Sequence, residues 1–261
     1  VDSPSWREIR GEDAPGLLLV CNAGEEGLGN LKGVRKICED YGGRIKSFCT
    51  FDSSLSSIVD RAVGSKRFRV KVRTRGGHSY NDFGNDNAIA GLASLVGKLY
   101  KIQVPEGGKT TYNVGMISGG TSVNTIAQEA EMLYEFRSDK RENLEYMERQ
   151  FMEVLDRAKA EGMDVSFQVI GVRPCEGQVD PAQKQALTDW AHRVVEEMTG
   201  QAPKHHAGST DCNIPLSLGI PSVCVGSFRG AGAHTREEYV ETDSLEEGYK
   251  VAFGMIFGRR D

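Results

Sequence analysis

The 261-residue chain is 39% hydrophobic and 26% charged, the proportions of an ordinary globular protein long enough for two domains. Its 32 basic and 37 acidic side chains leave a formal charge of -5, which gives no cationic field for a phosphate backbone and excludes nucleic acid as an expected partner. No apolar run approaches the roughly 20 residues a bilayer needs and no secretory leader pattern opens the chain, so no membrane partner and a cytoplasmic setting are expected.

The pattern of residues 16–52 predicts strand, helix, strand. Leu17, Leu18, Leu19, Val20 and Cys21 form an apolar strand-like run, Leu31, Val34, Ile37, Cys38 and Tyr41 recur at helical spacing, and residues 45–51 follow Gly42 and Gly43 as a second strand. A parallel pair joined by a helical crossover is the economical arrangement.

Residues 67–173 have a different rhythm. Phe68, Val70 and Val72 alternate with Arg67, Arg69, Lys71 and Arg73 as a half-exposed strand, and residues 85–101 carry Ile89, Leu92, Leu95, Val96 and Leu99 as a helix. Strands over 111–117 and 131–136 flank the turn at Ser118, Gly119, Gly120 and Thr121. A helix over 142–161 and a strand over 165–172 complete β-α-β-β-α-β, the ferredoxin-like order. The segment reads as a domain inserted into another.

After Pro174 the pattern returns to α/β: a helix over 182–199 with Leu187, Trp190, Val194 and Met198 on its apolar side, a polar loop over 205–213, a buried strand over 221–225 and a closing helix over 244–257. Six cysteines make no CxxC pair and several fall in apolar runs, which reads as reduced thiols used as small hydrophobes. The expected fold class is thus α/β, with residues 1–65 and 174–261 sharing one discontinuous domain and 66–173 forming the inserted one.

This layout brings acidic and imidazole groups to one sheet edge, where an open α/β sheet carries its chemistry. Glu25 and Glu26 follow the first strand, Asp52 the second, and His234 lies in a glycine-rich loop after a third, which makes a metal site the first candidate. His205 and His206 read as solvated.

Glu25 and Glu26, Asp52, the run Arg75 to Ser79 with His78, the run Ser118 to Asn124, Arg137, the run Gly208 to Asp211 and His234 together resemble the M20 metallopeptidases, over nearly the whole chain and in order. That group includes dipeptide and tripeptide peptidases, glutamate carboxypeptidase and N-acyl amino acid deacylases. The resemblance implies a zinc-peptidase-like three-layer α/β catalytic domain with a ferredoxin-like lid that forms a homodimer. It implies two zinc ions in each protomer, with a small peptide or N-acyl amino acid as substrate.

By that resemblance Glu25 is the general base, Glu26 and His234 bind one metal, and Asp52 binds the other. Zinc accepts such ligands and acidifies its bound water. His78 donates to the oxyanion in the active site of the partner protomer. Asn124 and Arg137 hold a substrate carboxylate, which the planar fork of Arg suits, and Ser209 and Asp211 belong to the pocket loop. The family often has Pro three residues after the Asn, where this chain has Ala127.

The family's first metal-binding His and its bridging Asp lie well upstream of the glutamate pair, whereas this sequence has no His before His78. The resemblance therefore begins partway into the catalytic domain. A fragment of a longer enzyme, a short non-catalytic relative kept for dimerisation or peptide binding, and an upstream half on a separate chain all fit. The fragment is favoured because Glu25, Asp52, His78, Arg137 and His234 are all in place.

Overall fold

The computed structural model describes residues 16–258; the first fifteen residues assigned above to the catalytic segment lie outside them. In chain order the elements are α1 (Lys32–Tyr41), β1 (Phe48–Phe51), β2 (Ser57–Ala62), β3 (Gly64–Arg73), β4 (Gly77–His78) and α2 (Ala88–Leu99). Next come β5 (Thr110–Gly119), β6 (Thr125–Ile126), β7 (Glu129–Ser138), α3 (Arg141–Ala160), β8 (Asp164–Arg173) and α4 (Pro181–Thr199). The last are β9 (Lys204–Gly208), α5 (Asn213–Ser217), β10 (Ser222–Val225), β11 (Arg229–Ala231), β12 (Tyr239–Glu241) and α6 (Ser244–Phe257). Two compact units emerge, one from the chain up to Ala62 and from Glu176 onward, the other from Val63–Cys175.

The first unit is a mixed α/β layer structure. Its sheet has the order β1-β10-β2-β9, with β1 parallel to β10, β10 antiparallel to β2, and β2 parallel to β9. Alternation along the strands sends neighbours to opposite faces. Ile58, Val223 and Val225 pack against Leu187, Trp190, Val194 and Val251 of α4 and α6, while Val59 and Cys224 pack against Cys212 and Leu216 on the other side. Asp180 caps α4 by accepting from Gln183 N–H at 2.9 Å, and Pro181 occupies its first turn, where the missing N–H costs nothing.

Two local expectations are corrected by the fold. Residues 17–21 form no strand: the described backbone from 16 to 26 is irregular, and Leu17, Leu18, Leu19 and Val20 are 42%, 51%, 67% and 49% exposed. A strand needs a hydrogen-bonding neighbour as well as apolar residues, and the parallel partner of β1 is β10, not 17–21. The loop expected over 205–213 begins as β9, whose polar side chains at a sheet edge hide its strand character. Its partner β2 had no predicted counterpart.

The second unit is ferredoxin-like: a four-stranded antiparallel sheet, β5-β7-β3-β8, packed against α2 and α3. Asn87 caps α2 by accepting from the N–H groups of Ile89 and Ala90. The core is aromatic, with Phe68 centred 4.3 Å from Phe151 and Tyr134 stacked on Phe151 at 5.5 Å. On the opposite face the basic residues of β3 meet the acidic residues of β7 in register: Arg67 with Glu135, Lys71 with Glu131, Arg73 with Glu129, at 3.0, 3.3 and 3.0 Å. Cross-strand opposite charges of this kind contribute roughly 0.2–1 kcal/mol per pair.

Glu135 gives this ladder a pH dependence. Burial pushes its carboxyl up, but hydrogen bonds and charge from Arg137 and then Arg67 outweigh that and hold it below the usual range. The folded pKa is thus depressed, so the contribution is present above the unfolded value of about 4.3 and is lost as pH falls through the folded one. Glu135→Gln is expected to remove roughly 0.5–1 kcal/mol at pH 7 and to flatten the urea midpoint against pH below about 4.3. An unchanged acid limb in that variant would refute the ladder's role.

Candidate active site

The segment bearing Glu25 and Glu26 is pinned rather than paired. Asn22 Nδ2 donates to Asp211 Oδ2 at 2.5 Å, and Gly33 in α1 lies so close beneath Asn22 and Ala23 that any Cβ there would collide with the Asn22 side chain and the Ala23 carbonyl. Only glycine permits that approach. Glu25 is half-buried and Glu26 exposed. Glu26 precedes the short 3-10 turn Gly27–Gly29, its carbonyl accepting from Gly29 N–H at 2.8 Å. The pair therefore stands on an irregular segment and not at a strand's carboxyl end.

Asp52 does follow a strand. Its N–H donates to the Val225 carbonyl at 3.1 Å, extending the β1–β10 pairing, and its Oδ1 accepts from Ser53 N–H at 2.7 Å. The Cys224 thiol donates to the Asp52 carbonyl at 3.2 Å. Burial pushes that thiol well up, helped by the Asp52 carboxylate and more weakly by Glu25, because negative charge nearby disfavours a thiolate. Asp211, also buried, adds to the burial that raises the Cys38 thiol. Ser209 lies just before it in the loop between β9 and α5.

His234 is exposed, with a left-handed φ of 66°, in a turn where its N–H donates to Glu238 Oε2 at 3.2 Å. Among the described residues no three His, Cys, Asp or Glu side chains are grouped to hold a metal ion. Zinc takes four ligands, or three with an open position. Glu26, Asp52 and His234 are donors of the right chemistry but do not by themselves fit a bound metal.

In the second unit, β4 pairs with β6, setting His78 opposite Thr125, and Ser79 N–H donates to the Asn124 carbonyl at 3.0 Å. His78 and Asn124 are thereby neighbours in one short ribbon, which their sequence separation does not suggest. Arg137 has an internal partner: its Nε and Nη2 donate to the two carboxylate oxygens of Glu135 at 2.8 and 3.2 Å. The i, i+2 spacing on one strand face was the signal for that pair. A concavity of about 430 Å³ beside Asn124 is lined by Ser118, Gly119, Gly120, Thr121, Thr125 and Gln128 among others.

A larger cavity, about 570 Å³, lies in the first unit and is lined by Asp60, Lys184, His192 and His205 but by none of the expected metal donors. His205 is exposed, as its solvated reading expects, yet it also has partners. Its Nδ1 lies 2.9 Å from Asp60 Oδ2 and its Nε2 lies 2.9 Å from His192 Nδ1, with the two rings stacked. Residues from β2, β9 and α4 meet there, so no local sequence pattern could reveal it.

Comparison with known proteins follows this division of the chain. The profile of the peptidase dimerisation domain M20_dimer matches residues 62–163. Residues 62–163 thus resemble an M20 peptidase dimerisation domain. The chain is also 34% identical over 191 residues to a homolog of a p-aminobenzoyl-glutamate hydrolase subunit from Haemophilus influenzae, a match covering 65% of this chain and 42% of that protein.

Among solved structures, aminopeptidase PepT from Bacillus cereus superposes with a TM-score of 0.68 at 23% identity, over 91% of this chain and 62% of that one. The aminobenzoyl-glutamate utilization protein from Klebsiella pneumoniae gives 0.63 at 15% identity, over 90% and 59%. These likenesses show the fold. The chain spans less than two thirds of the length of each of these three relatives.

Proposed function

We propose that this chain is of M20 type and that the whole protein is an amide hydrolase of small substrates, an exopeptidase or N-acyl amino acid deacylase, working as a homodimer in the cytoplasm. The observation that carries the reading is the match of residues 62–163 to the peptidase dimerisation domain, in a chain whose other unit sets Asp52 at the end of the parallel β1–β10 pair. Glu25, half-buried, takes the proton from the attacking water. His78 donates to the oxyanion, and Asn124 and Arg137 hold the substrate carboxylate once Arg137 exchanges Glu135 for it. Ser209 and Asp211 shape the pocket loop.

The whole enzyme is expected to hold two zinc ions per protomer, with Glu26 and His234 donating to one and Asp52 to the other alongside further ligands. The Haemophilus relative's name makes p-aminobenzoyl-glutamate the first substrate to test, because it is an N-acyl amino acid with a free carboxylate that a guanidinium can hold.

The test is hydrolysis of p-aminobenzoyl-glutamate, a dipeptide, a tripeptide and an N-acetyl amino acid by the full-length protein, with zinc measured by elemental analysis and again after chelation. Turnover that falls with chelation and returns with zinc supports the reading. A full-length protein that turns over none of these, with zinc added, overturns it in favour of a binding role.

The dimer has its own test. Strand β5 is an edge of the antiparallel sheet, with Met116 and Ile117 65% and 58% exposed, and open edges with apolar side chains invite a second chain. Ile117→Lys is expected to weaken self-association by at least about tenfold in dissociation constant, since desolvating one charge costs more than about 1.4 kcal/mol. Sedimentation velocity across a concentration series measures it; unchanged association places the interface elsewhere.

A further inference from the structure

The loop that bears His78 is built to fix which imidazole nitrogen carries the proton. The N–H groups of Tyr80 and Asn81 both point at His78 Nδ1, at 3.3 and 3.4 Å. Neither bond is short, but their sense decides the tautomer. A proton on Nδ1 would face two N–H donors, so Nδ1 is an acceptor and Nε2 carries the hydrogen. Among the described residues Nε2 has no partner, and the ring is exposed.

Asp82 holds the loop in that shape. Its Oδ2 accepts from the His78 N–H at 2.7 Å, and its own N–H donates to the His78 carbonyl at 2.9 Å. The carboxylate is seated against Gly77, where an added Cβ would come within 2.6–2.8 Å of the Asp82 side chain and where φ is 143°; only glycine meets both demands. The far side is tied down as well, since Asn85 N–H donates to the Asp82 carbonyl at 3.1 Å and Asn85 Nδ2 to the Gly76 carbonyl at 2.7 Å. The turn is therefore closed at both ends around the Asp82 carboxylate.

We propose that Asp82 is a positioning residue that closes the 78–82 turn so that two backbone N–H groups cap His78 Nδ1 and hold the imidazole as a preorganised Nε2–H donor. The inference rests on reading His78 as the oxyanion donor only for its consequence in catalysis; the tautomer itself can be measured without turnover. An oxyanion needs a donor whose hydrogen is already aimed, because reorganisation at the moment of reaction forfeits the electrostatic gain. A ring free to exchange tautomers would present a lone pair for part of the time.

The experiment is a long-range proton–nitrogen correlation spectrum of the histidine-labelled protein at pH 8, where imidazoles are ordinarily neutral, with His78 assigned through His78→Gln. Wild type is expected to show His78 Nδ1 as the unprotonated, pyridine-like nitrogen. Asp82→Ala is expected to move both nitrogens towards the tautomer average. Asp82→Asn, which keeps a carbonyl oxygen to accept from the His78 N–H, is expected to restore most of the wild-type pattern.

A protonated Nδ1 in wild type, or an Asp82→Ala spectrum identical to wild type, overturns the proposal. Thermal unfolding of each variant identifies a change caused by loss of fold, and the Asn variant then decides. In the full-length enzyme Asp82→Ala should lower kcat roughly tenfold with KM little changed, less than the 10²–10³ expected for removing an oxyanion donor outright. A locked tautomer together with undiminished turnover in His78→Gln would reject the oxyanion role while leaving the positioning role of Asp82 standing.

Discussion

Glu25→Gln in the full-length enzyme is expected to lower kcat by about 10²–10⁴ with little change in KM, the range lost when a positioned general base is removed. The side chain keeps its size and its place on the pinned segment, so Asn22 still reaches Asp211 and Gly33 still accepts the backbone above it. On the proposed role, what disappears is the ability to take a proton from water. Glu26→Gln separates the two neighbours: as a metal donor its loss should lower zinc content together with activity, whereas Glu25→Gln should leave zinc content unchanged. Rates within about tenfold of wild type for Glu25→Gln, with the protein folded and metal loaded, would remove Glu25 from the chemistry.

The second large effect is on stability. Phe151 is fully buried in α3 and meets Phe68, Tyr134 and Phe167 at ring separations of 4.3, 5.5 and 5.7 Å. Phe151→Ala removes the ring from the centre of this cluster and leaves a cavity that the sheet on one side and α2 on the other cannot easily close. The expected cost is about 3–5 kcal/mol, against a domain stability of roughly 5–15 kcal/mol. The inserted unit should therefore melt first in the variant and take self-association with it. Urea unfolding followed by near-ultraviolet dichroism of the tyrosines measures the shift, and a loss under about 1 kcal/mol would mean that the core repacks and that Phe151 is not its centre.

The inserted unit was the more legible half. The alternation of Phe68, Val70 and Val72 with Arg67, Arg69, Lys71 and Arg73 reports its own two faces, because a strand buried on one side must alternate. The helices over 88–99 and 141–160 likewise show their buried stripes at Leu92, Leu95 and Leu99 and at Met147, Phe151 and Leu155. Local period and tertiary burial agree in each of these elements.

The first unit was harder to read because its strands depend on partners distant in sequence. Residues 17–21 have the composition of a strand but no pairing, while 204–208, with two adjacent histidines, have pairing but not the composition. In a parallel sheet each strand borrows its hydrogen bonds from a segment many residues away. The pattern of one segment cannot register whether that neighbour is present.

The candidate site divides along the same line. Residue chemistry and order, Glu25 beside Glu26, Asp52 after its strand, His78 after two glycines, were determined by the sequence itself. So was the α/β class with a ferredoxin-like insertion, because hydrophobic period and turn residues are local properties. Only the tertiary structure decided that the Cys224 thiol meets the Asp52 carbonyl, that His205 joins Asp60 to His192, and that the turn at Asp82 caps one nitrogen of His78. The first two depend on how the chain folds back on itself, across separations from 13 residues between His192 and His205 to 172 between Asp52 and Cys224. Even the short-range one turns on side-chain direction within a few ångströms, which composition and period do not encode.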